Sequence, residues 1–307
     1  MLAEKHNLVV VLGPTATGKT RLAALLAHAI GAEIISADSR QVYRDMNLGT
    51  GKDYEDYCVE GKTIACHLVD IHPAGYKYNV FEFQKDFFHC FEEIQQRKKK
   101  VILCGGTGMY LESVTKAYQL ISVPVNNSLR EKLKDKSLAE LENILASYKK
   151  LHNKTDTDTV KRAIRAIEIE EYYLLYPPAE KKMPEIKPVY LGIQFDREER
   201  RRRISTRLHR RLEEGLVDEV QRLLNQGIAP EDLIYYGLEY KYITQHLLGH
   251  LSFSDMTSQL ETAIHQFAKR QMTWFRKMER EGVNIHWIDG MLSEEEKIQE
   301  ALRVIEG

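Results

Sequence analysis

Several things are scarce or missing in this sequence, and each absence removes a class of protein. Its 307 residues hold four cysteines, Cys58, Cys66, Cys90 and Cys104, with no C-x-x-C spacing and no histidines at zinc-finger intervals. That excludes a disulfide-stapled scaffold or a zinc module, and predicts buried, reduced thiols in a cytoplasmic protein. No apolar run approaches the ~18 residues that a membrane span needs. The N-terminal run "LVVVL" leads straight into a glycine loop, so it reads as a core strand and not as a signal peptide. Net charge is lacking too: the formal value is −1. Overall charge therefore advertises no polyanion partner, and any basic surface must be local. Internal repeats, low-complexity segments and heptads are absent. What remains is 43% hydrophobic and 29% charged, an ordinary globular composition with length for one large domain or two modest ones.

The order of elements is legible from periodicity. Leu8 to Leu12 is a continuous apolar run, as expected of a parallel strand buried on both faces. "TRLAALLAHAI" has helical spacing and is closed by Gly31 as a C-terminal cap. "AEIISAD" reads as a strand ending at Asp38, "FEFQKDFFHCFEEIQQRKKK" as an amphipathic helix with a basic end, and "VILCGGTG" as a strand running into glycines. Strand–helix alternation of this kind predicts an α/β fold, a P-loop NTPase-like parallel sheet flanked by helices with an inserted all-helical domain. Residues 1–196 are assigned to the P-loop core, completed by a last strand near 283–290, and 197–281 to a mainly helical insertion. The alternative insertion is 119–188, which includes the loop "PPAEKKMPEIKP" (Pro177 to Pro188). In an open parallel sheet, ligands gather at the carboxyl ends of strands. The loop at 13–20, Asp38 and the turn Gly105–Gly108 all fall at such ends.

Four motifs carry chemistry. "GPTATGKT" (Gly13, Pro14, Thr15, Ala16, Thr17, Gly18, Lys19, Thr20) fits G-x-x-x-x-G-K-[ST], in which backbone N–H groups wrap a phosphate, lysine adds charge and a hydroxyl reaches magnesium. ATP is the usual ligand, but an ATPase or kinase normally offers a second strand ending in a carboxylate for the metal, and here that strand ends in Gly-Gly-Thr-Gly. Asp38 sits instead in "ISADSRQVY", among Ser36, Ser39, Arg40 and Gln41. It suits either a helix N-cap or a proton acceptor for an incoming nucleophile. Thr107 offers a free hydroxyl in a turn of glycines, which is otherwise a plain strand-to-helix connection. In "DREERRRRISTRLHRRLEEG", Arg200, Arg203, Arg207 and Arg210/Arg211 fall on one side of a helix. Most such arginines face solvent, and Arg207, deepest in the pattern, is the one expected to reach phosphate. "KRQMTWFRKMER" interleaves bases and aromatics. Trp274 suits a core position or a stacking surface for RNA, with phosphates on Lys269, Arg270 and Arg276. "KRAIR" (Lys161 to Arg165) adds a second basic face.

Taken in order, "GPTATGKT", "ISADSRQVYRDMNLGTGK", "HLVDI", "VILCGGTGMYLESV", "KRAIRAIEI", "LGIQFDREE", "RISTR" with "EEGLVDEV", and "AKRQMTWFR" resemble the tRNA dimethylallyltransferase (tRNA isopentenyltransferase) family over nearly the whole chain. The resemblance implies transfer of a dimethylallyl group from dimethylallyl diphosphate to N6 of the adenosine just 3′ of the anticodon, in tRNAs reading codons that begin with U. By that resemblance, Gly13–Thr20 hold the diphosphate, with Lys19 neutralising it and Thr20 beside Mg2+. Asp38 is the general base, and Thr107 and Arg207 steady the departing oxygens. Asp38, Ser39, Arg40, Gln41, Thr107, Arg130, Lys161, Arg162, Arg165, Tyr240, Lys241, Lys269, Arg270, Gln271, Trp274 and Arg276 match positions that touch the tRNA anticodon stem-loop. The target base must leave its stack, at a cost of a few kcal/mol that RNA contacts offset. A cytoplasmic monomer without membrane attachment is the expected form.

Four segments depart from the family pattern. "GTGKDY" (Gly49 to Tyr54) stands for "GTAKP", "VPVNN" (Val123 to Asn127) for "PPAD", "KTDTD" (Lys154 to Asp158) for "HPND", and "YYGLEYKY" (Tyr235 to Tyr242) for a segment containing "IGYKE". The chain also ends without the zinc-finger extension of some eukaryotic members, which suits a bacterial-type enzyme. Competing readings are a prenyltransferase of free adenine nucleotides, an ATP-dependent small-molecule kinase, and a tRNA-binding relative that has lost catalysis. The basic–aromatic segment argues against the first, "GGTGMY" against the second, and the intact Lys19, Thr20, Asp38, Thr107 and Arg207 against the third.

Overall fold

The computed structural model describes residues 5–148, 157, 159–177 and 183–307. The segment 154–158 therefore lies outside the described residues except for Thr157, as does 178–182 of the proline-rich loop. β1 (Leu8–Leu12) is buried at every position, and α1 (Lys19–Ile30) ends at Gly31, whose φ of 65° is a left-handed cap that glycine adopts without strain. β2 (Ala32–Ser36) is followed by three short strands, β3 (Cys58–Val59), β4 (Lys62–Thr63) and β5 (Cys66–His67). α2 (Val80–Gln96) opens on a capping box in which the Asn79 side chain accepts from the N–H groups of Phe81 and Glu82. β6 (Lys100–Gly105) and α3 (Gly108–Thr115) complete the first half. Three helices follow, α4 (Asn127–Leu133), α5 (Leu138–Tyr148) and α6 (Val160–Leu175), and then β7 (Pro188–Gln194). The remainder is α7 (Arg197–Glu213), α8 (Leu216–Asn225), α9 (Pro230–Tyr235), α10 (Leu238–Leu247), α11 (Phe253–Arg280), β8 (Ile285–Asp289) and α12 (Glu294–Glu306).

The six-stranded sheet has the order β5-β2-β6-β1-β7-β8, and every pair in it is parallel. Alternate residues feed opposite cores, because strand side chains point to opposite faces. Val10, Leu12 and Leu103 join Phe83, Phe87 and Phe91 of α2 on one face; Val9, Val11 and Ile102 join Leu22 and Leu26 of α1 and Ile305 of α12 on the other. Both faces are covered, so the strands read as unbroken apolar runs.

The chain divides into two compact units, 1–117 with 184–307, and 118–183. The separate unit overlaps the segment 119–188, whereas 197–281 belongs to the same unit as the sheet. The reason is where the helices of 197–281 bury their apolar faces. Ile204 and Leu208 of α7, Val220 of α8, Ile243 of α10 and Met272 and Phe275 of α11 share one core with Leu8 and Val10 of β1. The unit 118–183 has its own small core of Leu133, Leu141, Leu145, Ala163, Ile164, Ala166 and Ile167.

All four cysteines are free, but they are not all buried as expected. Cys58 is exposed because it lies on the two-stranded β3–β4 pair, whereas burial pushes the Cys66 and Cys104 thiols up to about 12. Among the described residues, no helix is long and apolar enough to cross a membrane.

Candidate active site

Three neighbouring strands, β2, β6 and β1, end side by side, and each hands its chain to a motif named above. The P-loop after β1 is shaped by its own backbone. Ala16 and Gly18 adopt φ values of 62° and 78°, and Thr17 Oγ1 donates to the Pro14 carbonyl at 2.9 Å. A Cβ on Gly13 would come 3.0 Å from the Ile193 carbonyl, so the loop passes too close to β7 for a side chain there. After β2, the Asp38 carboxylate accepts from the Arg40 N–H at 2.9 Å; it caps a turn, since no helix starts at that point. Gly105 ends β6 where a Cβ would lie 2.5 Å from the Ala37 carbonyl, so the loops after β2 and β6 touch through backbone.

A cavity of about 950 Å³ opens at these ends, lined by Thr15 to Thr20, Asp38, Gln41, residues 50–56 and the α7 side chains Arg203 and Arg207. Burial pushes the Lys19 ammonium below its ordinary value, with Asp38 and Asp53 opposing and Arg207 reinforcing the shift. Burial, aided by neighbouring Arg211, also pushes the Arg207 guanidinium down to about 10. Lys19 and Arg207 face one cavity, which the carboxylates of Asp38 and Asp53 also line, and such cations are suited to a phosphate-bearing ligand. Arg207 Nη1 lies 3.4 Å from Thr15 Oγ1, so the arginine reaches the P-loop from the opposite wall. Arg203 belongs to the same wall, with Nε donating to the Ala16 carbonyl at 3.1 Å. Thr107 is the N-cap of α3 and makes no capping hydrogen bond with its side chain; it does not line this cavity.

Sequence reasoning gave no wall-holding role to the residues that hold these walls. Glu219 of α8 looks like surface charge in "EEGLVDEV", yet it is 3% exposed. Its carboxylate accepts the N–H groups of Asn47, Leu48 and Gly49 at 2.9, 2.8 and 3.1 Å, and the Tyr240 hydroxyl at 2.7 Å. It thereby fixes the loop that carries Gly51 and Asp53. Gln271 ties two motifs together: the Thr15 N–H donates to its Oε1 at 2.9 Å, and its Nε2 donates to the Gly106 carbonyl at 2.9 Å. Asp53 was also missed, because a lone charge in a polar stretch carries no periodic signal, and Arg211 fell in the arginine series without being singled out, although it is 5% exposed.

The residues matched to tRNA contact separate into exposed and committed groups. Lys269, Arg270 and Arg276 are exposed on one face of α11, opposite the buried Gln271, Met272 and Phe275. Ser39 and Arg40 are partly exposed, with the Arg40 guanidinium 5.4 Å from the centre of the Tyr235 ring. Lys241 is partly exposed, its ammonium 5.1 Å from the Tyr242 ring. Gln41 is buried between the Ser36 hydroxyl at 3.1 Å and the Gly51 carbonyl at 3.2 Å. Tyr240 is 1% exposed and packs its ring where a Cβ on Gly49 would be. Trp274 packs in the same way on Gly108, with Lys277 over its ring. In the unit 118–183, Lys161 and Arg162 are exposed, while Arg130 and Arg165 are both bonded to the buried Glu168 at 2.7 Å.

Comparison with known proteins gives a consistent result. Residues 41–278 match the profile of the family described as IPP transferase. A protein of Parabacteroides distasonis named tRNA dimethylallyltransferase 1 is 60% identical over 302 residues, covering 98% of each chain. Its counterpart in Phocaeicola vulgatus, tRNA dimethylallyltransferase 2, is 59% identical with the same coverage. The crystal structure of the full-length tRNA isopentenylpyrophosphate transferase from Bacillus halodurans is similar with a TM-score of 0.71 and 28% identity, over 98% of this chain and 97% of that one.

Proposed function

Because the chain belongs to the IPP transferase family and is a transferase, we propose that it moves a dimethylallyl group from dimethylallyl diphosphate to N6 of the adenosine 3′ of the anticodon in tRNA. The observation that supports this most is the joining of P-loop, Asp38 and Arg207 around one cavity. Prenylation of tRNA follows from the relatives' shared activity; the donor and the individual roles are our reading.

In that reading the P-loop N–H groups and Lys19 grip the diphosphate, and Arg207 faces it across the cavity. The reaction forms a bond from N6 to the allylic carbon and breaks the bond from that carbon to the diphosphate oxygen. Asp38 takes the proton that N6 gives up. Charge accumulates on the departing oxygens, where Lys19 and Arg207 are already desolvated and need no reorganisation. Thr107, at the end of the adjacent strand, is assigned in the same reading to steadying the departing oxygens alongside Arg207. Magnesium belongs to the same reading: the Thr20 hydroxyl lines the cavity together with the carboxylates of Asp38, Asp53 and Asp56, oxygen groups of the kind Mg2+ takes alongside substrate phosphates. Thr20 would hold it, and it would supply further neutralisation of the diphosphate. The exposed bases of α11 and the Lys161–Arg162 pair suit RNA phosphates. A cytoplasmic location belongs to the same reading.

The test is transfer of labelled dimethylallyl diphosphate to bulk tRNA, with AMP and ATP as competing acceptors. Label should enter tRNA and fall by 100-fold or more, roughly the range for losing a general base, in Asp38→Ala. Label on the free nucleotide would overturn the acceptor, and full activity in Asp38→Ala would overturn the base.

A further inference from the structure

Among the carboxylates that line the cavity without a part in the transfer steps above, Asp53 is bonded to Arg207. Asp53 lies in "GTGKDY", a segment in which the sequence departs from the family pattern, and it shares the cavity with Lys19 and Arg207. Its Oδ2 accepts from Arg207 Nη2 at 3.2 Å, and its two oxygens accept from Arg211 Nη2 at 3.0 and 3.2 Å. Arg211 is 5% exposed and does not line the cavity, so it holds Asp53 from the buried side. Its Nε has no hydrogen-bond partner, so the contact with Asp53 is the main polar anchor of that side chain. The backbone is cut to fit the pair. Gly51 has a φ of 78°, and a Cβ there would stand 2.5 Å from Arg207 Nη2 and 3.3 Å from both terminal nitrogens of Arg211. The alanine of the family pattern would be strained at this φ and would push the Arg207 guanidinium aside.

Two arginines side by side repel, and Asp53 is the group bonded to both. Glu239, in the first turn of α10, also feels both arginines, but burial pushes its carboxyl above the ordinary value, which weakens it as a counter-charge. We propose that Asp53 is the positioning residue of Arg207: anchored by Arg211 and by the glycine at 51, it aims the Arg207 guanidinium at the P-loop, where the leaving diphosphate collects charge. This rests on the role given to Arg207 above. A guanidinium displaced by an ångström loses the geometry that makes it useful in the transition state, and such a displacement can cost on the order of 100-fold.

The experiment measures kcat and KM for labelled dimethylallyl diphosphate with tRNA, using the full chain. Asp53→Asn should lower kcat by about 10- to 100-fold with a smaller change in KM, and Asp53→Glu should recover part of the loss. Arg211→Gln, which removes the anchor instead of the carboxylate, should act in the same direction and keeps the idea testable should Asp53→Asn not fold. In an Arg207→Ala background, Asp53→Asn should lower kcat little further, whereas a merely structural role would multiply the two losses. Wild-type kcat in Asp53→Asn, or multiplied losses in the double variant, would overturn the inference while leaving Arg207 in place. Full kcat in Arg207→Ala would instead overturn the role of Arg207, and the inference with it.

Discussion

Lys19 shows how a single residue's environment becomes a measurable property. Its side chain is partly buried on the cavity that Arg207 also lines, and desolvation holds its pKa below 10.5, the ordinary value. A bound diphosphate favours the charged form, so its pKa in the complex is higher than in the empty site. Affinity for the anion is then fully present below the empty-site pKa and declines as pH rises through it, starting at a lower pH than an ordinary lysine would allow. Calorimetric titration with inorganic pyrophosphate and Mg2+ from about pH 7 to about pH 10 should show that decline. Lys19→Met should bind more weakly throughout and keep only the shallower fall due to Arg207. Lys19→Arg, which stays charged in this range, should move the fall to higher pH. Equal pH dependence in wild type and Lys19→Met would mean that Lys19 does not meet the anion.

Between elements, contacts depend on where a side chain is absent. At the start of α3, a Cβ on Gly108 would collide with the Trp274 indole, whose ring atoms are its three nearest neighbours. That ring cannot easily yield, because its helix is tied to the P-loop and to Gly106 through Gln271. Gly108→Ala should therefore destabilise the protein by about 1–3 kcal/mol, as overpacking does, and should cost little in a Trp274→Leu background. Thermal unfolding of both checks this; an unshifted midpoint in Gly108→Ala would refute the close packing. The contact also explains what sequence could and could not reveal. β1 and the cap at Gly31 were legible because apolar runs and cap residues are local signals. The P-loop and Asp38 were legible because motif and strand end coincide. Gln271, Glu219 and Asp53 were not, since each is bonded to a partner more than a hundred residues away in sequence. In sequence, Gln271 and Tyr240 look like RNA contacts; in the fold they are buried and bonded to the loops that shape the cavity.

At the scale of the whole chain, separate cores imply separable stability. Among the described residues, the unit 118–183 rests on a small apolar cluster and the buried carboxylate of Glu168. Glu168 is 2% exposed. It accepts from Arg130 at 2.7 and 2.9 Å, from Arg165 at 2.7 Å and from the Asn126 N–H at 2.8 Å. Burial would raise its pKa, but these hydrogen bonds outweigh that and hold it below the ordinary carboxylate value. Arg165 also donates to the Val123 carbonyl at 2.7 Å, so the cluster ties α4, α6 and the segment before α4 together. Removing the carboxylate leaves two arginines and an N–H without their acceptor. The arginine side chains are 40% and 37% exposed, so water recovers part of the loss. The cost should then be about 2 kcal/mol, below the 3–5 typical of a fully buried pair. In Glu168→Ala, amide hydrogen exchange should accelerate across 118–183 and stay unchanged in 5–117 and 184–307, with pyrophosphate affinity preserved. Acceleration throughout the chain would mean that the two units unfold as one.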